Sequence, residues 1–434
     1  MQDITSKSGE NICVICPNVT DAKRFVSAQS RLDEAVGLAL AIDLNVVYTE
    51  VINLKNIKPS TYFSKGFIEK LKPVIEESQI TLMVADTVLS PIQQRNLEKE
   101  LNIKVIDRTA LILEIFGKRA NTNEGKLQVE LAHLTYQRSR LVRSWTHLER
   151  QRGGAGFLGG PGEKQIELDR RIIDDKIVKI KKDLEKVKNT RHLQRGNRKK
   201  VPYPIVAVVG YTNAGKSTLF NKLSGASVLA KDMLFATLDP TLRKIKLPSG
   251  NEVIFSDTVG FISDLPHELV MAFRSTLEEV LEADVIIHVR DISNEETSLQ
   301  RKDVLDVLEN IGLKDIETKP NYIEVLNKTD LLSQEEKSAL ENKTSNQSKE
   351  IIPLSALTGE GCDKLCLCVD KILSLGFRHI SLDVDVTDGK LQSWLHKNTV
   401  VLNKTVKEDK ISFSVKIDEA NAQRLSKLFS VDLP

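Results

Sequence analysis

The chain has 434 residues, 41% of them hydrophobic and 28% charged, and a net charge of +2. That length spans roughly three or four domains, and the mix is that of an ordinary soluble globular protein rather than a disordered chain. The polar start MQDITSKSGE carries no apolar stretch of the kind a secretion signal needs, and no apolar run approaches the roughly 18 residues of a membrane span.

The five cysteines do not form a metal-binding array. Cys13 and Cys16 lie inside an apolar run, and Cys362, Cys366 and Cys368 are far away. Buried thiols of a reducing compartment are expected, ahead of a zinc site. The expected location is the cytoplasm, with peripheral membrane association open. The small net charge conceals a split. Residues 138–200 hold 19 Lys and Arg against 8 Asp and Glu, a balance of +11 that leaves −9 for the rest. Such a segment reads as a polyanion contact, nucleic acid ahead of a merely solvated helix face.

In chain order, NICVIC reads as a strand, RLDEAVGLALAI as a helix, LNVVYTEVI as a strand and FIEKLKPVIEES as a helix. TLMVAD follows as a strand, PIQQRNLEKEL as a helix opened by Pro91, and KVIDRT as a closing strand. The alternation predicts a small parallel α/β domain over residues 1–112, with no chemical motif in it. The period then changes. Leu127, Leu131, Leu134, Arg138, Leu141, Trp145 and Leu148 recur at helical spacing, and so do Ile166, Asp169, Ile173, Ile177, Ile180, Leu184 and Val187. Two such seams predict an antiparallel helical hairpin over 113–200, each arm reaching roughly 35 Å. Residues 191–204 read as a linker. Residues 201–372 alternate strands and amphipathic helices, as a doubly wound α/β domain does. Residues 373–434 read β-α-β-β-α, a small α+β appendage.

Between the seams lies GGAGFLGGPG, residues 153–162, in which Gly154, Gly156 and Gly159 spell a dinucleotide-binding pattern. That pattern needs a strand before it and a βαβ unit around it. A helical seam precedes it here, so the loop is read as the tip of the hairpin. Glycines let backbone approach a ligand closely. Arg150, Arg152, Lys164, Arg170 and Arg171 flank Gly153, Gly154, Gly156, Phe157, Gly159 and Gly160, a composition suited to RNA phosphates. A loop with no role is the competing reading.

The strongest signal is PIVAVVGYTNAGKSTLFNKLSG, from Pro204. An apolar strand runs into a GxxxxGKS loop and then a helix, the context a phosphate loop requires. Gly210, Tyr211, Thr212, Asn213, Ala214 and Gly215 would present backbone N–H groups to a nucleotide. Lys216 would carry charge to the β- and γ-phosphates, Ser217 would bind Mg²⁺, and Thr218 continues the loop into the helix. Asn327-Lys328-Thr329-Asp330 follows an apolar strand. Asp330 would accept from the N1–H and 2-amino groups of guanine, which adenine lacks. Ser355-Ala356-Leu357 follows another strand and would offer backbone to the guanine oxygen. Asp257-Thr258-Val259-Gly260 would hold Mg²⁺ through water at Asp257 and sense the γ-phosphate at the Gly260 N–H.

These residues resemble the translation-factor-like GTPases. GYTNAGKSTLFN, FATLDPT and DTVGFI, with EGKLQVELAHLTYQRSRL and RQRGGAG…GPGE…DRR, resemble the HflX-type proteins of the Obg–HflX superfamily. The resemblance is specific over about 107–361 and looser at both ends. It implies a GTPase that hydrolyses GTP to GDP and phosphate, binds the large ribosomal subunit and its rRNA, and splits or rescues stalled or idle ribosomes. It implies that the glycine loop reaches toward the peptidyl-transferase region. It also implies that Phe235, Ala236, Thr237, Leu238 and Asp239 form switch I, with Thr237 the second Mg²⁺ ligand. Spacing alone leaves Thr241 open, and Asn213 stands where some related GTPases hold K⁺. Lys216, Thr237 and Gly260 are the expected catalytic set. The position after Gly260, which often orients the attacking water with Gln, is Phe261, which cannot. Hydrolysis is therefore expected to be slow alone and stimulated by ribosomes. A monomer without a DNA partner is the default expectation. A GTP-dependent switch acting on a protein partner, and a large-subunit assembly GTPase, remain the competing functions. An independent nucleotide or RNA-remodelling activity of the first domain is a weaker third.

Overall fold

The computed structural model describes residues 9–19, 27–151, 161–198, 203–225, 234, 235, 237, 238, 241–263, 279–345, 350–375, 377–407, 410–429 and 431. Its contacts divide into two compact units, residues 1–245 with 254–360, and residues 246–253 with 361–434.

The first unit begins with four parallel strands, β1 (Asn11–Val19), β2 (Asn45–Leu54), β3 (Leu82–Ala85) and β4 (Lys104–Asp107), in the order β2-β1-β3-β4. Helices α1 (Ala28–Leu40), α2 (Lys65–Glu77) and α3 (Pro91–Leu101) connect them, and α4 (Arg108–Arg119) follows β4. Each helix starts where a short polar side chain satisfies a free N–H: Ser27, Ser64, Ser90 and Asp107. Ser90 and Gln93 form a reciprocal capping box behind Pro91. β1 shows why both faces are apolar. Cys13 and Ile15 enter one core, with Phe63, Leu71 and Met83; Ile12, Val14 and Cys16 enter the other. The second core runs on without a break into the residues around the phosphate loop, including Val209, Tyr211, Phe235 and Phe261. The strand read at KVIDRT stops at Asp107, because Asp107 caps α4 and Arg108 already lies in the helix. The boundary expected at 112 thus falls inside α4.

α5 (Asn123–Gln151) and α6 (Pro161–Arg198) pack on each other through Leu134, Ile173, Ile177 and Ile180, with Leu127, Leu131, Leu141 and Leu184 beside them. Arg138 and Asp174 bridge the pair at 3.1 Å. Side chains from 142 to 166, Trp145 among them, lie outside the described residues, as does the tip loop 152–160. The linker read from 191 is helical as far as Arg198. A single Gly196 costs about 1 kcal/mol, too little to end a helix of strong formers.

The second sheet has the order β10-β9-β8-β5-β7-β6, from β5 (Ile205–Gly210), β6 (Thr241–Lys246), β7 (Glu252–Asp257), β8 (Val285–Asp291), β9 (Tyr322–Asn327) and β10 (Ile351–Pro353). β5 pairs in parallel with β7 and with β8. Strand order reverses at β5, so the loop after it sits at the switch point where such sheets take ligands. Helices α7 (Lys216–Ser224), α8 (Thr297–Asn310) and α9 (Gln334–Ser345) are among the helices described in this part. This is the P-loop α/β architecture expected.

The second unit holds α10 (Cys362–Leu375), β11 (Phe377–Asp385), α11 (Gly389–Asn398), β12 (Val400–Lys407), β13 (Lys410–Asp418) and α12 (Glu419–Phe429). Its antiparallel sheet, β11-β13-β12, turns Ile411, Phe413, Val415 and Ile417 onto Leu391, Leu395, Ala422 and Leu425. The β-α-β-β-α reading matches this arrangement, and Trp394 packs against this core. Among the described residues no helix is long and apolar enough to cross a membrane.

Candidate functional site

The loop after β5 is built by backbone conformations that its residues tolerate. Gly210 has φ +153° and a Cβ there would lie 2.2 Å from the Val289 carbonyl oxygen. Gly215, at φ +90°, opens α7 in the left-handed region, and a Cβ there would strike Asn327 Nδ2. Asn213 adopts φ +59°, which Asn accepts more readily than most residues. Its side chain is exposed, whereas Thr212 and Ala214 are buried. The loop is stitched to the strand end after β7: Phe261 N–H donates to the Gly210 carbonyl at 3.1 Å, and Thr212 N–H to the Phe261 carbonyl at 2.7 Å.

Lys216 is buried, and its ammonium donates to the Tyr211 carbonyl at 2.7 Å. Burial pushes this amine down to about 8, with Asp257 opposing the shift. Burial also pushes the Asp257 carboxyl up, against hydrogen bonds from Ser217 and Thr237 and the charge of Lys216. Ser217 Oγ donates to Asp257 Oδ2 at 2.7 Å, Thr237 Oγ1 to the same oxygen at 2.9 Å, and the two hydroxyls are 2.9 Å apart. Three oxygen-bearing side chains thus converge beside a buried cation. Among the described residues Asp257 Oδ1 and Thr212 Oγ1, both buried, have no hydrogen-bond partner. Oxygen ligands of this kind fit Mg²⁺, and the unpaired atoms and the buried lysine fit a polyanion at the loop. Thr241 is the first residue of β6 and makes no part of the cluster.

The base-recognition stretch lies at the ends of β9 and β10. Asn327 Nδ2 donates to the Ala214 carbonyl at 2.8 Å, and its Oδ1 accepts from the Ala356 N–H at 2.9 Å. One amide therefore pins the phosphate loop to the Ser355 loop. Lys328, at φ +65°, pairs with Asp291 at 2.8 Å. Ser355 Oγ donates to Asp330 Oδ1 and so orients that carboxylate. Leu357 is exposed.

Some candidate residues point elsewhere. Thr258 donates its hydroxyl to the Val208 carbonyl at 2.7 Å, inside the sheet, and Val259 is buried. Thr329 is buried and contributes through backbone. Phe261 is enclosed in the core. Phe235 and Leu238 are buried too, while Ala236 and Asp239 lie outside the described residues. Arg170 and Arg171 are exposed on α6 and pair with Asp174 and Glu167. The side chains of Arg150, Arg152, Lys164 and the glycine loop lie outside the described residues. Tyr211 shows what motif reading missed. Its hydroxyl donates to Glu34 of α1 and accepts from the Ser263 N–H at 2.8 Å. No spacing rule connects residues 34 and 211.

Family models match almost the whole chain: "GTP-binding GTPase N-terminal" over 29–117, "GTP-binding GTPase Middle Region" over 119–198, "50S ribosome-binding GTPase" over 205–328 and "HflX C-terminal domain" over 339–431. The chain is 48% identical to the GTPase HflX of Magnetococcus marinus, covering 92% of this chain and 90% of that one. It is 41% identical to the GTPase HflX of Escherichia coli, covering 85% of each. A solved GTP-binding protein from Sulfolobus solfataricus, in complex with GDP, aligns with TM-score 0.45 and 23% identity over 84% of this chain and 99% of that one.

Proposed function

The chain belongs to the HflX family of GTPases, and we propose that it uses GTP and Mg²⁺ at the loop after β5 to control engagement of the large ribosomal subunit by the α5–α6 hairpin. The observation that carries the nucleotide half is the convergence of Ser217, Thr237 and Asp257 on one another beside the buried Lys216. Bound there, Mg²⁺ would spread the charge that develops between the β- and γ-phosphates. Ser217 and Thr237 would hold it directly and Asp257 through water. Lys216 compensates charge on the β–γ bridging side, and the Gly260 N–H faces the γ-phosphate. Asp330 selects guanine, oriented by Ser355. Water attacks phosphorus in line, the bond to the β–γ bridging oxygen breaks, and GDP and phosphate leave.

Phe261 supplies no group to orient that water. The basal rate then rests on electrostatics, and a partner must order the water or add a donor. The ribosomal half of the reading is supported by the match to the model described as a 50S ribosome-binding GTPase, by the +11 balance of residues 138–200, and by the length of α6. Through that arm the protein contacts rRNA and separates stalled or idle ribosomes. Asn213 stands where some related GTPases hold K⁺, and a rate dependence on K⁺ over Na⁺ is part of this reading, checked by comparing rates in the two salts. The deciding experiment is sedimentation with isolated large subunits. Co-migration with a non-hydrolysable GTP analogue, weak in GDP, lost at high salt and lost on deleting residues 153–162, supports the reading. Binding indifferent to that deletion removes the arm from it.

A further inference from the structure

The stretch Asp257–Gly260, read above as meeting Mg²⁺ and the γ-phosphate and called switch II below, continues to Ser263, and every polar group of Ser263 is held. Its N–H donates to the Tyr211 hydroxyl at 2.8 Å, its Oγ donates to Asp303 of α8 at 3.0 Å, and its carbonyl accepts from Arg108 at 3.1 Å. Arg108 is the first residue of α4, in the N-terminal α/β domain. On its own side the guanidinium is gripped by Asp86 at 2.6 Å and by Glu34, and Glu34 also accepts from Tyr211. The bond to Ser263 is the one described contact of that guanidinium with the GTPase domain. Switch I is held by the same domain. Phe235 stands edge-on to Phe116 of α4, with centroids 4.7 Å apart, and Leu234 lies against Gly37 of α1. Beyond the switches, Glu296 caps the start of α1, accepting from Ser27 N–H at 2.9 Å and Ser30 Oγ at 2.7 Å.

The arrangement so held is one that suits a triphosphate. Thr237, two residues after Phe235, meets Ser217 and Asp257. Gly260 lies so near the phosphate loop that a Cβ on it would sit 3.0 Å from Lys216 Nζ. We propose that the N-terminal domain selects the GTP-bound state: Arg108 through the Ser263 carbonyl, and Phe116 through Phe235, hold both switches where a γ-phosphate is received, so that both are positioning residues for the GTPase reaction. The inference rests on the reading of Thr237 and Gly260 as groups that meet Mg²⁺ and the γ-phosphate.

The physical step is linkage. Contacts made only in one switch arrangement favour the ligand that needs that arrangement, and that ligand favours the contacts equally in return. GDP lacks the γ-phosphate and gains nothing from the arrangement. Arg108 donates as a desolvated cation, and a hydrogen bond of that class moves an equilibrium by about tenfold or more. The Phe116–Phe235 edge contact carries a smaller share, about threefold.

The test uses the full-length protein and measures dissociation constants for a fluorescent GDP and a fluorescent non-hydrolysable GTP analogue, with kcat at saturating GTP. Arg108→Gln should weaken the GTP analogue about tenfold and Phe116→Leu about threefold, with GDP affinity within about twofold and kcat lowered. Phe116→Leu keeps the core apolar and leaves the buried charges alone, so it guards against simple unfolding of Arg108→Gln, and thermal melting of each variant accompanies the titrations. Thr237→Ala is the reference. A GTP-selective loss there, with equal losses for both nucleotides or none in the other two variants, overturns the inference alone. No selective loss in any of the three overturns the reading of the switches, and the inference with it.

Discussion

Lys216 gives a prediction whose sign follows from its surroundings. In the nucleotide-free protein, burial lowers its amine from 10.5 to about 8. Phosphates stabilise the ammonium, so in the complex it stays protonated to higher pH. Above about pH 8 the free protein has lost this proton and must regain it on binding. Below about pH 8 it already carries it, and affinity is flat in this group. From pH 7.5 to 9 the linkage weakens GTP binding by about eightfold, a little over 1 kcal/mol. The γ-phosphate is fully ionised across that window and adds no slope of its own. Isothermal titration at pH 9, in two buffers of different ionisation enthalpy, should show uptake of nearly one proton per GTP and much less at pH 7.5. Lys216→Arg, which stays charged throughout, should remove the lysine's share of the difference and leave only the smaller uptake that comes from the guanine N1–H. Proton release at pH 9, or uptake unchanged between wild type and Lys216→Arg, would refute the assignment. The same shift acts on folding. The unfolded chain holds this proton to about 10.5 and the folded, nucleotide-free chain only to about 8. Stability from this group therefore rises with pH between those values, by about 3 kcal/mol in all.

Asp330→Asn removes the charged acceptor of two guanine donors. GTP affinity should fall on the order of 100-fold, while xanthosine triphosphate, with an acceptor where guanine has its 2-amino group, gains; competition titration measures both. Gly260→Ala would place a methyl 2.8 Å from Thr212 Cγ2, and the GTP analogue should weaken by about tenfold or more with GDP nearly unaffected, read by the same fluorescent titration. His288 is buried on β8, its Nδ1 2.7 Å from the Tyr322 hydroxyl and its Nε2 without a partner among the described residues. Burial, with nearby Arg290 and Arg301, pushes it down to about 3. The unfolded chain takes this proton near pH 6.5, so stability is lost as pH falls below that, by about 1.4 kcal/mol per unit. Denaturant unfolding of His288→Gln between pH 6.5 and 4 should show a shallower fall than wild type.

The phosphate loop was legible because backbone geometry dictates its residues: Gly210 and Gly215 sit where a Cβ would meet Val289 and Asn327. The motif placed Asn327 at the end of a strand, but that its amide serves two loops at once came only from the structure. Sequence also placed Phe261, though not its burial. The contacts of Tyr211, Glu34, Arg108 and Ser263 were illegible. Each is an ordinary residue in its own element, and only folding brings positions 34, 108, 211 and 263 together. Thr258 misled because a motif names residues, not directions: alternation along the strand end turns its hydroxyl into the sheet. The helix through Arg198 was missed because Gly196 and a run of charge resemble linker, while helix propensity is set by the whole stretch.

Asp107 and Arg108 are neighbours with opposite allegiances. Asp107 accepts from Tyr136 of α5 at 2.9 Å and pairs with Arg140 of the same helix at 3.5 Å, while Arg108 grips switch II. One Cα step, about 3.8 Å, separates the anchorage of a long arm from the latch of a nucleotide site. In mechanical terms the first turn of α4 would be a fulcrum with a long beam on one side and a short one on the other, so that a swing of the arm would become a smaller shift at Ser263. Such a joint needs no chain of intermediates between the two ends. Asp107→Asn, which keeps the size and loosens the grip on Arg140, should leave basal hydrolysis in place and blunt its stimulation by large subunits; stimulation undiminished in that variant would show that the arm signals by another route.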